Sequence, residues 1–136
     1  MAVKKLAVII AAMFGLVVIF QIALAFGAPW GEYTQGGGVT GPLAPVGRFT
    51  AVLSAGILIV MALGMLARAG MGPAKGYPPR LITAIAWLTT VYAGLAILAN
   101  LATPSGVERA IWAPFSFVSF AIVVTIMVKT RKRPNI

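Results

Sequence analysis

Cysteine, histidine and aspartate are absent from this chain of 136 residues, and its only acids are Glu32 and Glu108. Without cysteine there is no disulfide, thiolate nucleophile or site for Cys acylation. Without histidine there is no His-ligated haem, zinc hydrolase or Ser-His-Asp triad. No metal and no cofactor are expected. Charge is scarce as well. Charged residues make up 10% of the chain and apolar ones 60%, against about 25% and 45–50% in soluble domains. Too little charge is present to cover a water-soluble fold, and the apolar content is too high for disorder. The composition is that of an integral membrane protein.

Long apolar runs are what the chain has instead. A crossing helix needs about 20 predominantly apolar residues. Four uncharged segments qualify: Leu6–Phe26, Phe49–Ala67, Leu81–Leu101 and Ala110–Val128. The intervening stretches are dense in helix breakers, with seven Gly and three Pro in Gly27–Arg48 and three of each in Arg68–Arg80. In lipid the alternative to helices is a closed barrel, whose strands alternate every second residue. Runs such as Val8-Ile9-Ile10-Ala11-Ala12 are apolar on all sides. The expected fold is all-α, a single membrane domain forming a four-helix bundle, with an outer loop over 27–48.

The bases set an expected orientation, since Lys and Arg accumulate on cytoplasmic loops. Lys4, Lys5, Arg68, Lys75, Arg80, Lys129, Arg131, Lys132 and Arg133 fall on one side; Arg48, Arg109 and both acids fall on the other. Both termini are therefore expected in the cytoplasm. The net charge of +9 reads as an insertion signal, not as a nucleic-acid footprint. The basic tail Lys129-Thr-Arg-Lys-Arg-Pro also suits anionic lipid headgroups. At the amino end, Lys4-Lys5, the apolar run and Ala23-Leu24-Ala25 resemble a cleavable signal peptide. The run exceeds the usual h-region of about 7–15 residues, so a retained anchor is expected.

Small residues recur every four positions at Ala7, Ala11 and Gly15, at Ala51 and Ala55, and at Ala86, Thr90 and Gly94. Such spacing lets helices approach closely, within one bundle or between copies in a homo-oligomer or larger complex. Trp30, Tyr33 and Trp112 fall where an interfacial aromatic belt belongs, with ligand binding as the alternative. Ser105-Gly-Val-Glu108 fits a capping box at the start of the fourth helix. Arg109 and Trp112, three apart, share a face suited to stacking. Pro114 is expected to bend that helix.

The segment Gly27-Ala-Pro-Trp-Gly-Glu-Tyr-Thr-Gln-Gly-Gly-Gly38 lacks the Lys-Ser/Thr of a nucleotide loop. Together with Gly41-Pro-Leu-Ala-Pro-Val-Gly-Arg48 and Glu108-Arg-Ala-Ile-Trp-Ala-Pro114, it resembles a group of small four-helix bacterial membrane proteins without an assigned activity. The resemblance implies a bacterial inner membrane and supplies no substrate, cofactor or catalytic residue. Ala28-Pro-Trp30 and Trp112-Ala-Pro114 echo each other too weakly to define a repeat.

Function stays open among three classes. A channel or carrier for a neutral or weakly polar solute would use the intramembrane polar residues Gln21, Tyr92 and Asn100. With no charge inside the spans, exchange through a buried carboxylate is disfavoured. An enzyme would have to run on Glu32 as a general base, with Tyr33, Glu108 and the arginines nearby. The favoured class is a non-catalytic accessory, assembly or binding protein. Its ligand or partner site is the outer mouth: Trp30, Glu32, Tyr33, Arg48, Glu108, Arg109 and Trp112. Twenty-two loop residues exceed the roughly 2–8 that adjacent helices need. The loop's Pro29, Trp30, Tyr33, Val39, Leu43 and Val46 suit equally a folded cap in which Glu32 meets Arg48 or Arg109 and an interfacial loop lying among headgroups with Trp30 as its anchor.

Overall fold

The computed structural model describes residues 2–132. Arg133 and Pro134 of the basic tail lie outside them. Four helices make up most of the chain: α1 (Ala2–Ala25), α2 (Pro45–Arg68), α3 (Pro79–Ala102) and α4 (Gly106–Thr130). Each has 24 or 25 residues, about 36 Å at ~1.5 Å per residue. All four are long and apolar enough to cross a membrane.

The last three helices outrun their apolar runs at both ends, while α1 starts four residues earlier and stops one residue short, at Ala25. Pro45 and Pro79, expected as breakers in the connections, instead open α2 and α3. The first helical position tolerates proline because its amide has no intrahelical partner and its φ is already helical. The long connection therefore ends at Ala44, four residues earlier than the composition suggests. Pro114 is accommodated inside α4.

The helices run alternately up and down, so the α1–α2 and α3–α4 connections share one end, the loop end. The α2–α3 connection, the start of α1 and the end of α4 share the other, the tail end. α1 packs chiefly on α2, and α3 on α4, with α2–α3 and α1–α4 contacts closing the ring. The main core holds Ala7, Ile10 and Phe14 of α1, Leu58 and Met65 of α2, Ala86 of α3, and Val123 and Ile126 of α4. Val8, Leu16, Phe49, Leu88 and Val118 point outward, giving the apolar exterior that lipid would solvate.

Of the small-residue stripes, Ala7, Ala51, Ala55 and Ala86 are buried, while Ala11, Gly15, Thr90 and Gly94 are only partly covered. A Cβ at Gly94 would meet the Phe120 ring at 3.4 Å, not a neighbouring backbone. The tightest helix approach lies elsewhere, at Gly64, where an added Cβ would collide with the Ile85 side chain.

At the tail end Arg68 is buried, with 6% exposure. Its Nε donates to Thr130 Oγ1 at 2.9 Å, its guanidinium to the Thr130 carbonyl at 3.2 Å and to Thr83 Oγ1 at 3.0 Å. The side chain thus joins α2 to α3 and to the carboxyl end of α4, where a cation also meets the negative end of the helix dipole.

Candidate functional site

The chain between α1 and α2 folds onto the bundle and is held there mainly by α4. It makes a 3-10 turn at Gly31–Tyr33 and closes on itself where Gly31 N–H donates to the Gly41 carbonyl at 2.9 Å. Gly31 has to be glycine, since a Cβ there would stand 2.6–2.7 Å from the carbonyl oxygens of Val39 and Gly41. Arg48 secures the base of the loop through a 2.9 Å bond from Nε to the Leu43 carbonyl, and its guanidinium lies against Gly27. Gln35 Nε2 donates to the Gly47 carbonyl at 2.9 Å. Leu43 is buried with Leu24 and Ala51 in a small second core.

Three bonds tie this cap to α4 and its approach. Trp112 Nε1 donates to the Tyr33 carbonyl at 2.7 Å. Gly36 N–H donates to Glu108 Oε2 at 3.0 Å, and Ser105 Oγ to the Glu32 carbonyl at 3.3 Å. Aromatic packing adds to them. Trp30 stacks on Phe20 with ring centres 5.8 Å apart, and Phe20 meets Trp112 at 5.2 Å. Trp30 keeps 41% exposure, while Trp112 is half-buried.

Glu108 departs from its sequence reading. Half of the capping box forms, with Ser105 Oγ accepting Glu108 N–H at 3.1 Å. The Glu108 carboxylate does not return to the Ser105 amide, which donates to Thr103 Oγ1 at 3.3 Å. Instead, Glu108 Oε2 accepts from the Thr103 hydroxyl at 2.9 Å as well as from Gly36. The residue is 8% exposed.

The expected pairing of Glu32 with Arg48 or Arg109 does not form. Among the described residues the two acids make no ion pair with these arginines. Arg109 donates to the Thr103 carbonyl at the end of α3, at 2.6 Å, in place of stacking on Trp112. Backbone carbonyls at the loop and at a helix terminus offered bonds on the spot, whereas the Glu32 carboxylate stands in solvent. There it holds the Tyr33 phenol above its ordinary range, by hydrogen bonding first and charge second.

Beneath the cap lies a partly enclosed cavity of about 140 Å³. Gln21, Phe14 and Phe20 line it from α1, Tyr92 and Asn100 from α3, and Glu108, Trp112, Ser116 and Ser119 from α4, with Thr34 of the cap. The three intramembrane polar residues singled out in the sequence, Gln21, Tyr92 and Asn100, thus share one space. Of the residues assigned to the mouth, Glu108 and Trp112 reach it; Trp30, Glu32, Tyr33, Arg48 and Arg109 build or border the cap. Asn100 Nδ2 donates to Ser116 Oγ at 2.6 Å and to the Trp112 carbonyl at 3.3 Å. Gln21 Oε1 and Ser119 Oγ are buried without a hydrogen-bond partner. Neither Ser116 nor Ser119 stood out in the sequence. The signal was there, because Glu108, Trp112, Ser116 and Ser119 follow one another at spacings of four, four and three, one face of a helix.

No family model, curated protein or solved structure matches the chain. Its function is therefore argued from this geometry.

Proposed function

We propose that the chain is a multi-pass protein of the bacterial cytoplasmic membrane, both termini inside, with a non-catalytic binding role. The capped mouth on the outer side is its working part, acting in an accessory or assembly complex or in a homo-oligomer. The observation that supports this is the Gly27–Ala44 cap, bonded to α4 through Trp112, Glu108 and Ser105 over a polar cavity. A loop without a task at this position would need none of these ties. Glu32, the only acid outside the helices, is exposed, and its backbone carbonyl rather than its carboxylate is what the fold uses. That placement disfavours an enzyme built on Glu32 as base, since nothing aligns it with a nucleophile.

Trp112→Phe keeps an aromatic ring at this position but is smaller than the indole and removes the bond to Tyr33. In mild detergent the wild-type chain is expected to elute within a larger assembly, and the folded Trp112→Phe chain to leave it. Identical elution of both as a monomer overturns the reading. The convergence of Gln21, Tyr92 and Asn100 on one cavity favours a second reading, a carrier for a neutral solute. Solute flux in proteoliposomes, lost on Asn100→Leu, would support it.

A further inference from the structure

We infer that the cavity beneath the cap is a site for a small organic ammonium ion carrying about one ring of apolar bulk. The inference rests on the binding reading above and names its ligand class. Size sets the first limit. A volume of about 140 Å³ is close to the ~150 Å³ cavity that admits benzene. Charge sets the second. Glu108 is the only ionisable acid or base lining the cavity besides the Tyr92 phenol, and no lysine or arginine accompanies it. Its Oε2 is held by Gly36 and Thr103, and Oε1 has no donor among the described residues.

Hydrogen-bond supply gives the third. Ser119 is 97% buried, with 3% exposure, and its hydroxyl has no partner; Gln21 Oε1 has none either. Asn100 Nδ2 is committed to Ser116 and the Trp112 carbonyl, and Trp112 Nε1 to the Tyr33 carbonyl. Gln21 Nε2 and the Tyr92 hydroxyl, by contrast, bond nothing among the described residues. The wall therefore carries one carboxylate with no cation beside it, and oxygens at Glu108 Oε1, Gln21 Oε1 and Ser119 Oγ that can each accept a bond. A primary ammonium brings three donors, no acceptor and the opposite charge. Phe14, Phe20, Trp112 and Phe115 add aromatic faces, which attract a cation and accept an apolar ring alike. An alcohol brings a single donor and no charge to balance the carboxylate. An anion would be repelled by it.

The test uses the full chain in detergent with benzylammonium, benzyl alcohol and benzoate as probes, read by tryptophan fluorescence and calorimetry. Benzylammonium is expected to bind saturably, about tenfold or more tighter than benzyl alcohol, as charge-assisted bonds require, and benzoate not at all. Glu108→Gln should erase that preference. Because Glu108 also anchors the cap, Ser119→Val, which touches none of the cap bonds, provides the second variant and should weaken benzylammonium severalfold. Equal affinity for benzyl alcohol, or benzylammonium binding unaffected by Ser119→Val, overturns the ammonium assignment. So does absence of binding to a chain whose cap resists protease. None of these outcomes changes the Trp112→Phe elution result, which stands or falls separately.

Discussion

One of the three bonds that hold the cap comes from an indole nitrogen, and its removal has a calculable cost. The Trp112 Nε1–Tyr33 bond of 2.7 Å is worth about 1 kcal/mol net, as for an ordinary hydrogen bond. Trp112→Phe should lower stability in detergent, measured by thermal unfolding, by at least that much, since the smaller ring also loses packing against Phe20 and Phe115. Gly37 is less replaceable. Its φ is +68°, and a Cβ would lie 2.6 Å from Ser105 Cβ, pushing the serine away from both Glu108 N–H and the Glu32 carbonyl. Gly37→Ala should cost about 1–3 kcal/mol and open 34–41 to protease. Tyr33 offers a pH test. The neighbouring carboxylate raises its phenol pKa, so tyrosinate absorbance from Tyr33 should emerge above the usual ~10, and Glu32→Gln should bring it back down. Raising the pKa favours the neutral phenol in the folded chain, so any stability it confers is present below pH ~10 and lost as pH climbs through the shifted value. Side-chain roles at this end were only partly legible in the sequence. Trp112 and Glu108 stood out by type. Their partners are backbone groups of Tyr33 and Gly36, which any residue possesses and no pattern announces.

Helices were the most legible feature, because hydropathy and breakers are local properties, and the expected spans fall inside the observed helices except for Phe26, one residue past the end of α1. Their contacts were less so. Small residues spaced by four mark a face without saying whether a neighbour meets it. Gly64 and Gly15 make the contrast measurable. At Gly64 an added side chain runs into Ile85, while at Gly15 nothing lies within 4 Å. Gly64→Leu should destabilise by about 1–3 kcal/mol through overpacking. Gly15→Ala should be neutral or stabilising by up to about 1 kcal/mol, since alanine gives up less backbone entropy in a helix. Chemical denaturation of the two variants checks both signs.

At the scale of the whole molecule, the proposed orientation has a direct test. Cysteine placed at exposed Val39 should react with an impermeant thiol reagent on intact cells, and cysteine at exposed Tyr77 only after permeabilisation; the chain's lack of native cysteine keeps the background clean. The basic residues behind that orientation form one class by charge, yet among the described ones Arg68 differs from the others in being buried among Thr83 and Thr130. These two partners belong to the second helical hairpin, and Arg68 belongs to the first. In the proposed orientation this guanidinium would serve the first hairpin as one of its orienting bases, and in the folded chain it latches that hairpin to the second. The two hairpins thus carry a recognition element for each other. Residues 1–72 and 73–136 produced as separate polypeptides should find one another in the membrane, and Arg68→Leu should abolish their reunion before it abolishes insertion.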